Sequence, residues 1–300
     1  MQGRYNIDKS FGIFAKFSPP LGRFVLWLAR IFLTIMPKGL HGKGIKAKRV
    51  FVPAEGGRRV RAYLIGPAKG EGAAPCMVYY HGGGFVFKAA RYHYRNAAIY
   101  VRETGCKLLF VDYRLAPKFA YPVPNEDCFD AYRWAVDNAK SLQIDASSLS
   151  VGGDSAGACL AADTVRLLKE RGEAMPRFAM LLYPVLDRRM QTPSMRKYTD
   201  TPMWNAELNK KMWQYYLGGR EFVSPAEYTD VSWFPPAYIE TAEYDCLHDE
   251  ALAFAGALRA LGVAVTVRET EGTMHGYDIV YQSEITQKSI RARCTALSAL

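Results

Sequence analysis

Gly153-Asp154-Ser155-Ala156-Gly157 sets a serine between two glycines, the G-x-S-x-G spacing that exposes a nucleophilic hydroxyl on a tight turn. A serine hydroxyl is a weak nucleophile at neutral pH and needs a base. The base in turn needs a carboxylate to fix its tautomer and stabilise the imidazolium that forms. His275, in Glu271-Gly272-Thr273-Met274-His275-Gly276, is assigned as that base, on a glycine-rich loop after the last strand. His41 lies in a basic stretch and His93 on a helix-like one, without comparable context, whereas His248 lies close to the acid and is the main competitor. The acid is expected between serine and histidine in chain order, and Asp245 meets that condition, with Asp249 as second choice. The alternative for Asp245, Asp249 and Glu250 is that of carboxylates at a helix start, and for Ser155 that of an N-capping serine in an ordinary glycine turn.

Acyl transfer passes through an oxyanion that requires preorganised donors. His81-Gly82-Gly83-Gly84 follows the run Met77 to Tyr80, and residues without Cβ let backbone N–H groups approach a substrate closely. The donors are assigned to the backbones of Gly83, Gly84 and Ala156, with His81 structuring the loop. A flexible hairpin turn is the competing reading, and it leaves the coincidence with the serine turn unexplained.

These residues must be held by an alternation of short apolar runs and helix-like stretches that begins near residue 49, the pattern of a sheet covered by helices. Val50 to Val52 and Arg59 to Ile65, divided by Gly56-Gly57, predict an antiparallel start. Met77 to His81, Leu108 to Tyr113, Leu149 to Gly152, Ala179 to Tyr183, Ala237 to Thr241 and Val263 to Val267 predict parallel strands, about eight in all. Helices are predicted over Tyr92 to Arg102, Glu126 to Lys140, Ala156 to Arg171, Glu250 to Leu261 and after Tyr281, as crossovers between parallel strands. Residues 1–48 and 185–226 do not fit the alternation; the latter holds a helix-like stretch from Ala206 to Leu217.

With 300 residues, 49% hydrophobic and 23% charged, the chain supports one enzyme-sized domain. The net charge is +10 with a pI near 9.2. The basic residues are mostly scattered; the densest stretch, Lys38 to Arg49, lacks the interleaved aromatics of a single-strand binder, so no nucleic-acid partner is expected. Cys76, Cys106, Cys128, Cys159, Cys246 and Cys294 stand far apart without a CxxC pair, which predicts reduced, buried thiols, no metal, no cofactor and a cytoplasmic home. Phe24 to Met36, interrupted by Arg30, is shorter than the ~20 apolar residues of a spanning helix. It is expected to form an amphipathic helix packed on its own protein, with contact to a membrane surface as the weaker alternative, and no signal-peptide cleavage site follows Pro37.

At these motifs the chain resembles the hormone-sensitive-lipase-like esterases of the α/β-hydrolase fold, which include arylacetamide deacetylase. His81-Gly82-Gly83-Gly84-Phe85, Asp112-Tyr113-Arg114-Leu115-Ala116-Pro117, Gly153-Asp154-Ser155-Ala156-Gly157, Asp245 with Leu247 and Asp249, and His275 follow the family's order over about residues 75–280. The resemblance implies catalytic Ser155, Asp245 and His275 and an oxyanion hole of Gly83, Gly84 and Ala156. It also implies a core of residues 49–184 and 227–300 under a helical cap of residues 1–48 and 185–226, which gives Phe11, Phe14, Phe17, Trp204 and Trp213 a purpose. Lys118 stands where the family usually has Glu, Ala158 where Gly is common, and Cys246 where Pro usually follows the acid.

The expected activity is that of a carboxylesterase acting on small-molecule esters of short to medium acyl chain through an acyl-enzyme, with a homodimer left open. An amidase or deacetylase would use the same residues. A non-catalytic ligand-binding protein is the alternative from a different class.

Overall fold

The computed structural model describes residues 4–36, 38–40, 42, 44–70 and 72–299; His41 and Lys43 of the basic stretch, and Pro37, lie outside the described residues. Eight strands form one sheet: β1 Ile45–Ala54, β2 Arg58–Pro67, β3 Ala74–Tyr80, β4 Lys107–Asp112, β5 Ile144–Asp154, β6 Ala179–Leu182, β7 Ala237–Tyr244 and β8 Val265–Met274. Their order is β1-β2-β4-β3-β5-β6-β7-β8, antiparallel from β1 through β2 to β4 and parallel from there on. The helices are α1 Arg23–Ile35, α2 Arg91–Thr104, α3 Val123–Asp137, α4 Ala139–Leu142, α5 Ala156–Glu170, α6 Pro193–Lys197, α7 Ala206–Leu217, α8 His248–Ala260 and α9 Glu284–Ser298.

Side chains alternate across the strands, and the two faces bury separate cores. Along β3, Cys76, Val78 and Tyr80 join the core under α3, α5 and α8, while Met77 and Tyr79 join the one under α2 and α9. The central strands are therefore covered on both faces, as their continuous apolar runs require. β7 and β8 are among the strands that outrun their apolar runs. β7 continues to Tyr244 and β8 to Met274, because Thr241 pairs with Glu269, Ala242 with Thr270 and, past a register shift, Tyr244 with Met274. Asp245 and His275 thus sit directly after paired strand ends, and His275 is held there rather than out on the glycine-rich loop expected for it.

Residues 185–226 supply α6 and α7, the latter N-capped by Asn205, whose side chain accepts from Leu208 N at 3.0 Å. They meet the N-terminal segment: Met203 N donates to Phe17 O at 2.6 Å and Tyr215 OH to Leu21 O at 3.1 Å. The expectation that the Phe24–Met36 helix packs on its own protein holds for only one face of α1. Leu26 is buried and Arg30 reaches the carbonyls of Val86 and Ala116, but most of its other apolar side chains face outward. Among the described residues no helix is long and apolar enough to cross a membrane.

Beneath the carboxyl end of the sheet lies a buried ionic network. The Arg293 guanidinium, on α9, binds both oxygens of Glu240, Asp278 Oδ2 at 2.6 Å and Tyr100 OH at 3.1 Å. Tyr238, Tyr277 and Tyr183 complete the carboxylates' bonds. Burial pushes the Glu240 pKa up, but the Arg293 charge outweighs it and holds the carboxyl below its ordinary range. Arg293→Met strands Glu240 and Asp278 without their counter-charge, so denaturant unfolding should show a loss of about 3–5 kcal/mol. A loss below about 1 kcal/mol would contradict this reading of the network.

Candidate active site

β5 ends at Asp154 and α5 begins at Ala156, leaving Ser155 alone on the turn with φ 53° and ψ −120°. Such backbone costs about 1–3 kcal/mol and persists only where its surroundings over-determine it. Here Ser155 N donates to Leu182 O at 2.8 Å and Ser155 O accepts from Val185 N at 3.2 Å. Gly157 allows the close approach: a Cβ there would lie 2.0 Å from Tyr80 O, on the neighbouring strand. The glycines of the motif are thus required by backbone crowding at the elbow.

The structure brings the three expected side chains together. Ser155 Oγ lies 2.8 Å from His275 Nε2, and His275 Nδ1 lies 2.6 Å from Asp245 Oδ2. The carboxylate accepts Nδ1–H, which leaves Nε2 free to accept the serine proton. Leu247 N donates to Asp245 Oδ1 at 3.0 Å and fixes the acid from its other oxygen. All three are buried, Ser155 at 4% and His275 at 7% exposure. The Tyr183 ring meets the imidazole edge-on at 5.0 Å, and its hydroxyl donates to Asp278 Oδ1 at 2.8 Å, linking the histidine to the Arg293 network.

The competitors are used elsewhere. His248 sits between Asp249, at 2.9 Å, and Glu269, at 3.3 Å, away from Ser155. Asp249 Oδ2 accepts from Ser194 N at 2.7 Å and so ties α6 to the start of α8. Glu250 accepts the Leu186 and Asp187 amides, and burial raises its pKa well above the ordinary range. His41 lies outside the described residues.

Asp154, the unnamed position of the serine motif, connects the elbow to the glycine loop. Its Oδ1 accepts from Gly82 N at 3.0 Å and Tyr79 OH at 2.7 Å, and its Oδ2 lies 3.1 Å from His93 Nε2. Burial raises its pKa, but the attraction of His93 and the bonds from His93 and Tyr79 prevail and hold it below the usual carboxylate range. Gly83 and Gly84 follow this anchor, and Gly83 O accepts from Val86 N and Phe87 N at 3.0 and 2.8 Å. Gly84 has φ +57°, and a Cβ on it would come within 2.7 Å of the Trp204 ring. As the first residue of α5, Ala156 has an amide without an intrahelical partner. Asp154 carries no local signal, since its partners lie 61 to 75 residues away in the chain, and the one local bond of His93, accepted by Nδ1 from Ala90 N at 2.9 Å, marks only the start of α2.

His81 is packed against Tyr113, ring centroids 4.5 Å apart, with Nδ1 2.7 Å from Gly82 O and a buried Nε2 that meets no polar partner among the described residues. A proton on Nε2 would be an unsatisfied buried charge. Burial, helped by the nearby His93, accordingly lowers the His81 pKa from 6.5 to about 4. Between those values the unfolded chain binds a proton that the folded protein refuses, so stability falls as pH drops from 6.5 toward 4. Urea unfolding at pH 6.5 and 4.5 should show the wild type losing about 2 kcal/mol more than His81→Phe; equal losses would contradict the assignment.

Residues 77–279 match a family described as alpha/beta hydrolase fold. The chain is 33% identical over 216 residues to ethyl acetate hydrolase of Pseudomonas putida, covering 68% of this chain and 66% of that enzyme. It is 32% identical over 212 residues to carboxylesterase NlhH of Mycobacterium tuberculosis, with the same coverage. The chain therefore spans about two thirds of the length of these curated relatives. Among solved structures it is similar to esterase LipW from Mycobacterium marinum, with TM-score 0.90 and 27% identity over 98% of this chain and 96% of that one. A bacterial heroin esterase superposes with TM-score 0.84 and 28% identity, covering 98% of both chains.

Proposed function

Because the chain belongs to the α/β-hydrolase family, in its hormone-sensitive-lipase-like esterase branch, we propose that it is a carboxylesterase acting on small esters of short to medium acyl chain. The reading is carried by the unbroken series of short contacts from Ser155 Oγ through His275 to Asp245. Ser155 Oγ attacks the ester carbonyl while His275 Nε2 takes its proton. The carbonyl oxygen becomes an oxyanion bound by the amides of Gly83, Gly84 and Ala156. Collapse breaks the bond to the alcohol, which leaves with the proton from His275, and Ser155 keeps the acyl group. Water then attacks the acyl-enzyme, giving its proton to His275, and the acid departs as Ser155 is reprotonated.

The N-terminal segment and residues 185–226 act in this reading as a cap over the acyl site. Support comes from Trp204, whose ring centroid lies 6.0 Å from that of His275 and whose edge packs against Gly84, so that it stands between base and oxyanion loop. Six free, buried thiols support a reducing, cytoplasmic setting.

The test is a series of p-nitrophenyl esters of increasing acyl length. The wild type should prefer short chains, and Trp204→Ala, which removes the indole from beside the acyl site, should raise the ratio of kcat/KM for longer chains to that for acetate about tenfold. No ester turnover by folded wild type would overturn the function; an unchanged ratio would remove Trp204 from the acyl site.

A further inference from the structure

α1 turns an apolar face to solvent. Phe24 (69% exposed), Trp27 (57%), Leu28, Ile31, Phe32 (59%) and Ile35 (74%) recur at helical spacing on the side opposite buried Leu26. The only charged residues of the helix are Arg23 and Arg30, and Arg30 is turned inward onto Val86 O and Ala116 O. Lys88 Nζ also holds the helix, donating to Thr34 Oγ1 at 2.8 Å, so the exposed face is presented on a fixed element.

Beside this face is a cationic surface. A cavity of about 370 Å³ is lined by Arg30, Arg49, Arg59, Lys88 and Lys118, with Asp112, paired to Arg61, as the one carboxylate among its described lining, and a second of about 370 Å³ along α1 shares Arg30 and Lys118 with it. The guanidiniums of Arg49 and Arg59 stand over the Phe51 ring, 5.6 and 5.4 Å from its centroid. Neither meets a carboxylate among the described residues. The first 54 residues contain ten Lys or Arg and a single acidic residue, Asp8, and so hold nearly all of the chain's net charge of +10.

We propose that α1 and the adjoining cationic surface dock on an anionic lipid bilayer, with the helix lying in the membrane plane. At ~1.5 Å per residue the 13 residues of α1 extend about 20 Å, short of the ~30 Å hydrocarbon core, so the helix lies on the membrane and does not span it. Exposed Trp and Phe suit the headgroup boundary, and the cations suit anionic headgroups within a Debye length of about 10 Å. A second copy of the chain is the poorer occupant, because it would bring two strongly basic N-terminal segments together.

The test is cosedimentation of the full chain with vesicles of phosphatidylcholine alone or mixed with phosphatidylglycerol. Binding should require phosphatidylglycerol and weaken with salt. It should fall at least about tenfold both in Phe24→Ser/Phe32→Ser and in Arg49→Glu/Arg59→Glu, with circular dichroism unchanged in both and hydrolysis of a water-soluble ester unchanged in Arg49→Glu/Arg59→Glu. Ser155→Ala should bind as the wild type does, so loss of ester activity and loss of docking are read separately. Trp27 fluorescence gives a second readout: a blue shift on binding that Trp27→Phe diminishes. Failure of the wild type to sediment, equal binding to neutral vesicles, undiminished binding by either double variant, or a dimer that Phe24→Ser/Phe32→Ser dissociates in a chain that ignores vesicles would each overturn the proposal.

Discussion

Ser155→Ala lowers kcat on a p-nitrophenyl ester by about 10⁶-fold, and adding His275→Ala to it costs little more. The two losses overlap because the side chains act on one proton: without Oγ there is nothing for Nε2 to deprotonate, and without Nε2 the hydroxyl stays a weak nucleophile. The 2.8 Å contact between them is the physical basis of that non-additivity. In the proposed mechanism, residual turnover by the variant would come from the amides of Gly83, Gly84 and Ala156 acting on a bound ester attacked by water. Stability should change little, since alanine keeps the Cβ and with it the strained φ of 53° at position 155. Steady-state kinetics of the single and double variants check this; additive losses would mean that serine and histidine do not share a step.

Asp245→Asn lowers kcat by about 10⁴-fold while preserving the fold. The carboxylate accepts from His275 Nδ1 at 2.6 Å and thereby keeps the proton off Nε2. An asparagine amide can donate to Nδ1 instead, which favours the tautomer with a proton on Nε2, and that nitrogen can no longer accept the serine proton. Asp249→Asn is the informative contrast, because Asp249 bonds Ser194 N and His248 and has no contact with His275. It should change kcat less than about tenfold, as expected of a residue outside the reacting unit. The reverse ranking of the two variants would assign the acid to the wrong carboxylate.

The sheet and the three triad candidates were legible because each rests on local pattern. Apolar runs mark the strands, the two glycines mark the elbow, and the chain order of Ser155, Asp245 and His275 follows from the fold. What the pattern missed depends on distant contacts. Arg268 to Met274 is polar and broken by Gly272, and it becomes strand only by pairing with β7. Asp154 looked like a spacer and His93 like an ordinary helix residue until folding brought them together with Tyr79 and Gly82. The composition of α1 carries its own signal: with Arg23, Arg30 and Thr34 as its only polar residues, it cannot present a polar face to solvent. An apolar run of that composition buries one side at most, and the other must remain exposed or find a partner.

The most direct test of the central claim is mass-spectrometric mapping of a serine-directed phosphonate on the wild type, beside His275→Ala. The account predicts one adduct per chain, on Ser155, formed in parallel with loss of ester hydrolysis and suppressed when His275 is absent. An intact, folded chain that takes no label, or takes it at another serine while activity is lost, would contradict it.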